Sequence, residues 1–204
     1  MKQFHKLILT VVLFASFSLF GQDGGKTKTI QSFPISISVL NHSWAFPGSQ
    51  VYRIVPLYPG IAIGSEYQYK KWKKTALYQV LEIGGFLNNS AGSGIYVNTN
   101  IGFRGITNFG LMTEFSLGLG YFQGFYPSNV YSLAGSGVYE QVKGNGIGAL
   151  SSNINFQLGY QIKKSKRQLT PYIGYQFLAS TYYWSLITIR PNGLLKAGIR
   201  FNLK

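Results

Sequence analysis

Cysteine is absent from all 204 residues, which removes disulfide frameworks, thiolate zinc sites and an acylated lipoprotein cysteine. Acids are nearly as scarce: Asp23, Glu66, Glu82, Glu114 and Glu140 are the only ones. Charged residues of both signs reach just 12%, about half the roughly 25% of ordinary soluble domains. That is too little charge to coat a water-facing surface. Long apolar runs are missing after residue 20, so no later segment approaches the roughly 20 residues of a membrane-spanning helix. No metal or cofactor is expected from the residues that remain.

What is present is aromatic and glycine-rich, with Tyr 15, Phe 15 and Gly 25. The net charge of +14 first suggests nucleic acid or an anionic membrane surface. Its distribution argues against nucleic acid, because much of the excess sits in two short runs, "KKWKK" and "KKSKR". The N-terminus reads as an export signal: "MKQFHK" is a basic start and residues 7–20 are an apolar stretch, followed by "GQDGGKTK". Residues 1–22 are therefore expected to be a signal peptide, cut near Gly21 or Gln22, and residues 23–204 a single domain.

Along that domain polar and apolar residues alternate with period two, the mark of a strand with two unlike faces. In "IYVNTNIGFR" the apolar set is Ile95, Val97, Ile101 and Phe103, against Asn98, Asn100, Gly102 and Arg104. "NINFQLGYQI" sets Ile154, Phe156, Leu158 and Ile162 against Asn153, Asn155, Gln157 and Gln161. Similar patterns occupy 35–39, 109–122, 171–180 and 195–203, and a looser one 60–70. Residues 76–86 fit worst, since Tyr78 and Val80 share parity with Glu82, so the facing of Glu82 stays open.

Such alternation suits a soluble sheet with a wet outer face or a membrane barrel with a polar interior. The polar parity is glycine, asparagine, glutamine and serine rather than rows of lysine and glutamate. Small polar groups fit a crowded lumen. The segments run roughly 10–14 residues, enough to cross a bilayer at a tilt, and Tyr67, Tyr69, Tyr121 and Tyr160 near their ends suit interfacial girdles. Short connections (71–74, 105–108, 164–167) alternate with long ones (41–59, 88–93, 123–146, 181–191). The expected fold is all-β, an eight-stranded antiparallel up-and-down transmembrane β-barrel, with both termini in the periplasm. Closing strand 1 on strand 8 would leave no open edge in hydrocarbon.

The last strand, "KAGIRFNL", resembles the C-terminal targeting signal of outer-membrane barrels, with Lys196, Gly198, Phe201 and Leu203 at the matching positions. The resemblance implies recognition by the barrel-assembly machinery; Lys204, rather than an aromatic, ends the chain. "YPGIAIGSEYQYKKWKKTALYQVLEIGGF" is similar to the corresponding stretch of small eight-stranded outer-membrane proteins of Gram-negative bacteria. That likeness implies a bacterial outer-membrane location and a fold, with no established activity.

Two constellations bear on chemistry. His42, in "NHSWAFPG", lies beside Ser43, and with Glu140 could compose a Ser-His-Glu hydrolase site at the membrane surface. Some eight-stranded barrels are lipid A deacylases or acyltransferases, but the deacylase motif, histidine and serine one residue apart on a strand, is not reproduced. The alternative is a solvated loop histidine beside a packing Trp44. The lumen-parity charges Glu66, Glu114, Arg104, Lys196 and Arg200 form either a gate in a narrow ion path or a salt-bridged plug. An eight-stranded barrel is just wide enough for side chains to fill it, which favours the plug. Expected partners are outer-membrane lipids: Lys70, Lys71, Lys73, Lys74, Lys163, Lys164, Lys166 and Arg167 at inner-leaflet head groups, and Arg53, Lys143 and Arg190 near lipopolysaccharide phosphates. The expected role is structural or interactive, displayed through the long loops, with an enzyme or a small pore as alternatives.

Overall fold

Among the described residues ten strands follow one another, β1 (Pro34–Ser43), β2 (Pro59–Lys71), β3 (Thr75–Phe86), β4 (Gly94–Ile106), β5 (Leu111–Gly124), β6 (Tyr131–Leu133), β7 (Tyr139–Gln141), β8 (Ile147–Tyr160), β9 (Thr170–Thr181) and β10 (Ile189–Asn202). The structure, a computed structural model, describes residues 33–43, 57–90, 92–125, 131–133, 137, 139–141, 146–162, 168–181 and 189–202. The expected signal segment 1–22 and Leu203 lie outside these residues. Eight strands close a barrel in the order β1-β10-β9-β8-β5-β4-β3-β2, and β6 pairs with β7 in a separate two-stranded hairpin. All pairings are antiparallel.

The β1–β10 seam runs from Pro34 opposite Asn202 to Ser43 opposite Gly193. Both strands are thereby paired on both edges, so the barrel wall leaves no unpaired edge for hydrocarbon to meet. No helix among the described residues is long and apolar enough to cross a membrane; the strands do the crossing. The β2–β3 and β4–β5 turns lie at the rim where β1 begins and β10 ends, and the β3–β4 connection lies at the other.

Alternation turns the apolar set outward. Leu119 is 68% exposed, Val39 65% and Phe103 60%, whereas Asn98, Gln176 and Asn192 are at 0%. An apolar outside around a polar inside reverses the arrangement of a soluble sheet and is the arrangement of a transmembrane β-barrel. At the short-turn rim Tyr69 is an extra residue where the β2–β3 register shifts between Gln68 and Lys70. Its hydroxyl donates to Gln79, and its ring meets Tyr67 edge-on at 5.1 Å. With Trp72, Phe109 and Tyr160 exposed nearby, this rim has the aromatic girdle of an interface.

Two sequence expectations change. β1 continues through Asn41, His42 and Ser43, residues assigned above to a loop, because β10 pairs with it to Ser43. Glu82, whose facing was open, points inward and is 5% exposed; Tyr78 and Val80 share its side because the lumen also accepts aromatic and apolar bodies.

Leu117 sits in the outer belt between Ile101 of β4 and Ile154 of β8. Leu117→Arg is expected to weaken folding by about 2–4 kcal/mol, the cost of a cation facing the bilayer midplane. Urea titration of protein folded into phospholipid vesicles measures it. A change below about 0.5 kcal/mol, usual for water-exposed positions, would contradict the lipid-facing assignment.

Candidate functional site

The lumen is stratified, and each layer follows from which inward positions share a level of the barrel. Nearest the short-turn rim, Arg104 of β4 stands opposite Glu114 of β5 in register. Arg104 donates from Nε to Glu114, from Nη1 to Glu66 Oε1 at 2.8 Å, and from Nη2 to Glu66 Oε2. Arg200 of β10 reaches the same Glu114 through Nη1 at 2.5 Å and Nη2 at 2.9 Å. Its Nε lies 3.5 Å from Glu66, and Nη2 also donates to Gln157 at 3.4 Å. The Tyr78 hydroxyl donates to Glu114 at 3.3 Å, and Arg104 lies over the Tyr78 ring at 4.6 Å. Two carboxylates and two guanidiniums from β2, β4, β5 and β10 thus tie the lumen across.

Lys196 belongs elsewhere. Its ammonium donates to Glu82 at 2.5 Å, while the Tyr96 hydroxyl donates to the same oxygen at 3.1 Å. The sequence reading put Lys196 with the other four charges; the structure brings those four together and gives Lys196 the acid whose facing was unresolved. Among the described residues, the buried acids and bases are then Glu66, Glu82 and Glu114 against Arg104, Lys196 and Arg200, an even balance. Tyr78 and Glu82 are the members whose facing alternation left open, whereas Tyr96 shares the inward parity of Asn98, Asn100 and Arg104. The signal for the tyrosines was glycine on the facing strand: a Cβ at Gly84 would stand 2.5 Å from the Tyr96 ring.

Beside this pair lies a band of amides, Asn98 and Asn100 on β4, Asn153 and Asn155 on β8, and Gln176 on β9, all under 9% exposed. Among the described residues, Asn98 Nδ2, Asn100 Oδ1, Asn155 Oδ1, and both amide atoms of Asn153 and Gln176 have no hydrogen-bond partner. Toward the long-loop rim an apolar layer follows, Leu40, Ala62, Phe86, Tyr96, Phe122, Leu178 and Leu194. Four of its members, Tyr96, Phe122, Leu178 and Leu194, are at 0% exposure.

His42 caps that layer. It is 1% exposed and stacks on Phe86 with centroids 3.8 Å apart and planes 5° off parallel. Nε2 meets Asn192 Oδ1 at 3.1 Å, and Nδ1 meets Asn88 Nδ2 at 2.9 Å. The loop-histidine expectation is therefore corrected. Ser43, the next residue on the strand, faces the other side, its hydroxyl beside Tyr175. Period two puts neighbours on opposite faces, so His42 and Ser43 are not a base and a nucleophile. Glu140 lies in β7 of the separate hairpin. Both imidazole nitrogens are already occupied by amides.

The remaining candidates are dispersed. Lys70, Lys71, Lys73 and Lys74 are exposed at the short-turn rim, with Lys70 over the Trp72 ring at 5.3 Å. Arg190 opens β10 at the other rim. Trp44, Arg53, Lys143, Lys163, Lys164, Lys166 and Arg167 lie outside the described residues. Of the terminal pattern, Lys196 faces the lumen, Gly198 abuts Ile37 and Tyr172, and Phe201 pairs with Ile35. No group of three or more potential metal ligands occurs among the described residues.

No family model and no curated protein matches the chain. Solved structures similar to it are small barrels. Neisserial surface protein A is 10% identical over 84% of this chain and 96% of that one, with a TM-score of 0.49. Ail, the attachment invasion locus protein of Yersinia pestis, is 12% identical over 84% and 97%, with a TM-score of 0.45. The outer membrane enzyme PagL is 9% identical over 83% and 99%, with a TM-score of 0.48.

Glu114→Leu is expected to cost about 3–5 kcal/mol, because it leaves Arg104 and Arg200 with one carboxylate, Glu66, between two buried cations. Asn153→Leu, which removes two unpartnered atoms at similar shape, is expected to be neutral or stabilising. Parallel urea titrations in vesicles compare the two; equal losses would contradict the layer assignments.

Proposed function

We propose that this is an outer-membrane protein whose barrel is a closed anchor and whose long connections are its interacting surface. The single observation that carries this reading is the filled lumen. An ion-paired layer and an apolar layer lie across it in series, and the apolar layer contains four side chains with no exposure. A pore would need a wet path past both. A lipid hydrolase would need its base and nucleophile on one face, and His42 and Ser43 divide between two.

Orientation follows from the connections. The short-turn rim, with both chain ends, faces the periplasm, and the long connections face outward, the usual disposition of such barrels. The exposed lysines of the β2–β3 turn then lie at inner-leaflet phosphates, and Arg190 near lipopolysaccharide. The terminal strand engages the assembly machinery before closure. Surface loops without a conserved scaffold role are where binding specificity resides, and the 125–146 connection, which carries the β6–β7 hairpin, is the largest one described in part.

Purified protein in planar bilayers is expected to show conductance at the lipid background. On intact cells, an epitope inserted at Gly137 is expected to bind antibody, while one after Lys204 does so only after the envelope is opened. Steady channel events, or a surface-exposed C-terminal epitope, would overturn the reading.

A further inference from the structure

We infer that His42 is a proton-operated latch: neutral, it ties the 87–93 connection to the barrel mouth, and protonated, it lets that connection go. The tautomer is fixed by its partners. Asn192 Nδ2 donates to the carbonyls of Leu178 at 3.4 Å and Arg190 at 3.2 Å, so its Oδ1 is what faces His42 Nε2, which must carry the proton. Asn88 Oδ1 accepts the Ser90 N–H at 3.0 Å, so its Nδ2 faces His42 Nδ1, which must be bare. The bound imidazole is neutral with one proton, on Nε2.

Asn88 is the hub of its connection. Its carbonyl accepts from Gly92 N–H at 2.8 Å, its own N–H donates to Ser93 Oγ at 3.2 Å, and its Oδ1 holds Ser90. The amide nitrogen is the group it offers to His42. Tyr58 adds to the same knot, its backbone carbonyl accepting the His42 backbone N–H at 2.9 Å and its hydroxyl donating to Ser90 Oγ at 3.1 Å.

A second proton would sit on Nδ1 and point at the Asn88 NH2 group. Donor would then meet donor. Flipping the Asn88 amide would relieve this only by breaking the bond to Ser90, the turn that shapes the connection. Among the described residues, the groups packed on His42 from the other elements offer no negative charge: Phe86 of β3, Asn88 of the connection and Asn192 of β10 are neutral, and Arg190 of β10 is a cation. The latch therefore holds while His42 is neutral and is lost when the ring takes a second proton, because a donor on Nδ1 then faces the Asn88 donor.

The test uses the folded protein in lipid nanodiscs, followed by NMR from about pH 8 to about pH 4, through and below the usual imidazole range. The His42 ring is expected to show a protonated Nε2 and a bare Nδ1 at the upper end. On acidification, the Ser90, Gly92 and Ser93 amide signals should shift with the ring's own midpoint. Hydrogen-exchange protection of Gly92, corrected for intrinsic rate, should fall about tenfold or more as the local opening becomes populated. His42→Gln keeps an acceptor and a donor but cannot take the proton, and should hold the connection at every pH. Loop signals that stay fixed while the ring titrates, or that move alike in His42→Gln, overturn the latch. Should that variant not fold, a wild-type ring protonated on Nδ1 at the upper end overturns it alone.

Discussion

A strand inside hydrocarbon has no water to bond with, so every backbone N–H and C=O must find its partner in the protein itself. In this chain that requirement comes down to the seam where β1 meets β10, the pairing with the greatest sequence separation. Once the seam exists, the side-chain period is locked around the whole wall. Each barrel strand must then send one residue set to lipid and the next to the lumen. A slip of one residue at any rung would exchange the sets along an entire strand.

Closure creates a second demand, on the inside. Eight strands enclose a bore that side chains can fill, and this chain fills it with ion pairs, amides and one apolar layer. Ionised groups there must neutralise each other, since a stranded charge in such a setting is costly. Glu66, Glu82 and Glu114 meet Arg104, Lys196 and Arg200, so three of the five acids in the sequence are used inside. The positive excess is left to the rims and the remaining segments, which accounts for a net charge of +14 on a chain whose core is balanced. The amide band is the part that this scheme leaves without partners among the described residues.

Most of the architecture was legible because it depends on period two, which is local. Asn98, Asn100 and Arg104 declare their side of β4 within a few residues. What was illegible depends on partners far along the chain. His42 looked like a loop residue because "NHS" ends the apolar alternation; Asn88 and Asn192, which bury it, lie 46 and 150 positions away. Glu82 was ambiguous because Tyr78 and Val80 share its parity, and a polar-versus-apolar rule cannot tell a lumen tyrosine from a lipid-facing one. Facing glycines decide that, and a glycine's relation to a ring on the next strand is set by register. Lys196 could be placed in the lumen, but its choice of Glu82 over Glu66 or Glu114 depends on levels in the barrel.

The terminal strand shows how a sequence pattern and a packing need can coincide. Lys196 is required where it is because Glu82 faces it across the lumen. Gly198 is required because a Cβ there would come 2.6 Å from the Ile37 carbonyl and 2.8 Å from the Tyr172 ring. Both positions of the targeting-like pattern are thus explained by the closed barrel without any receptor. Phe201 differs, being on the lipid side near the short-turn rim, where many apolar side chains would pack equally well beside Ile35.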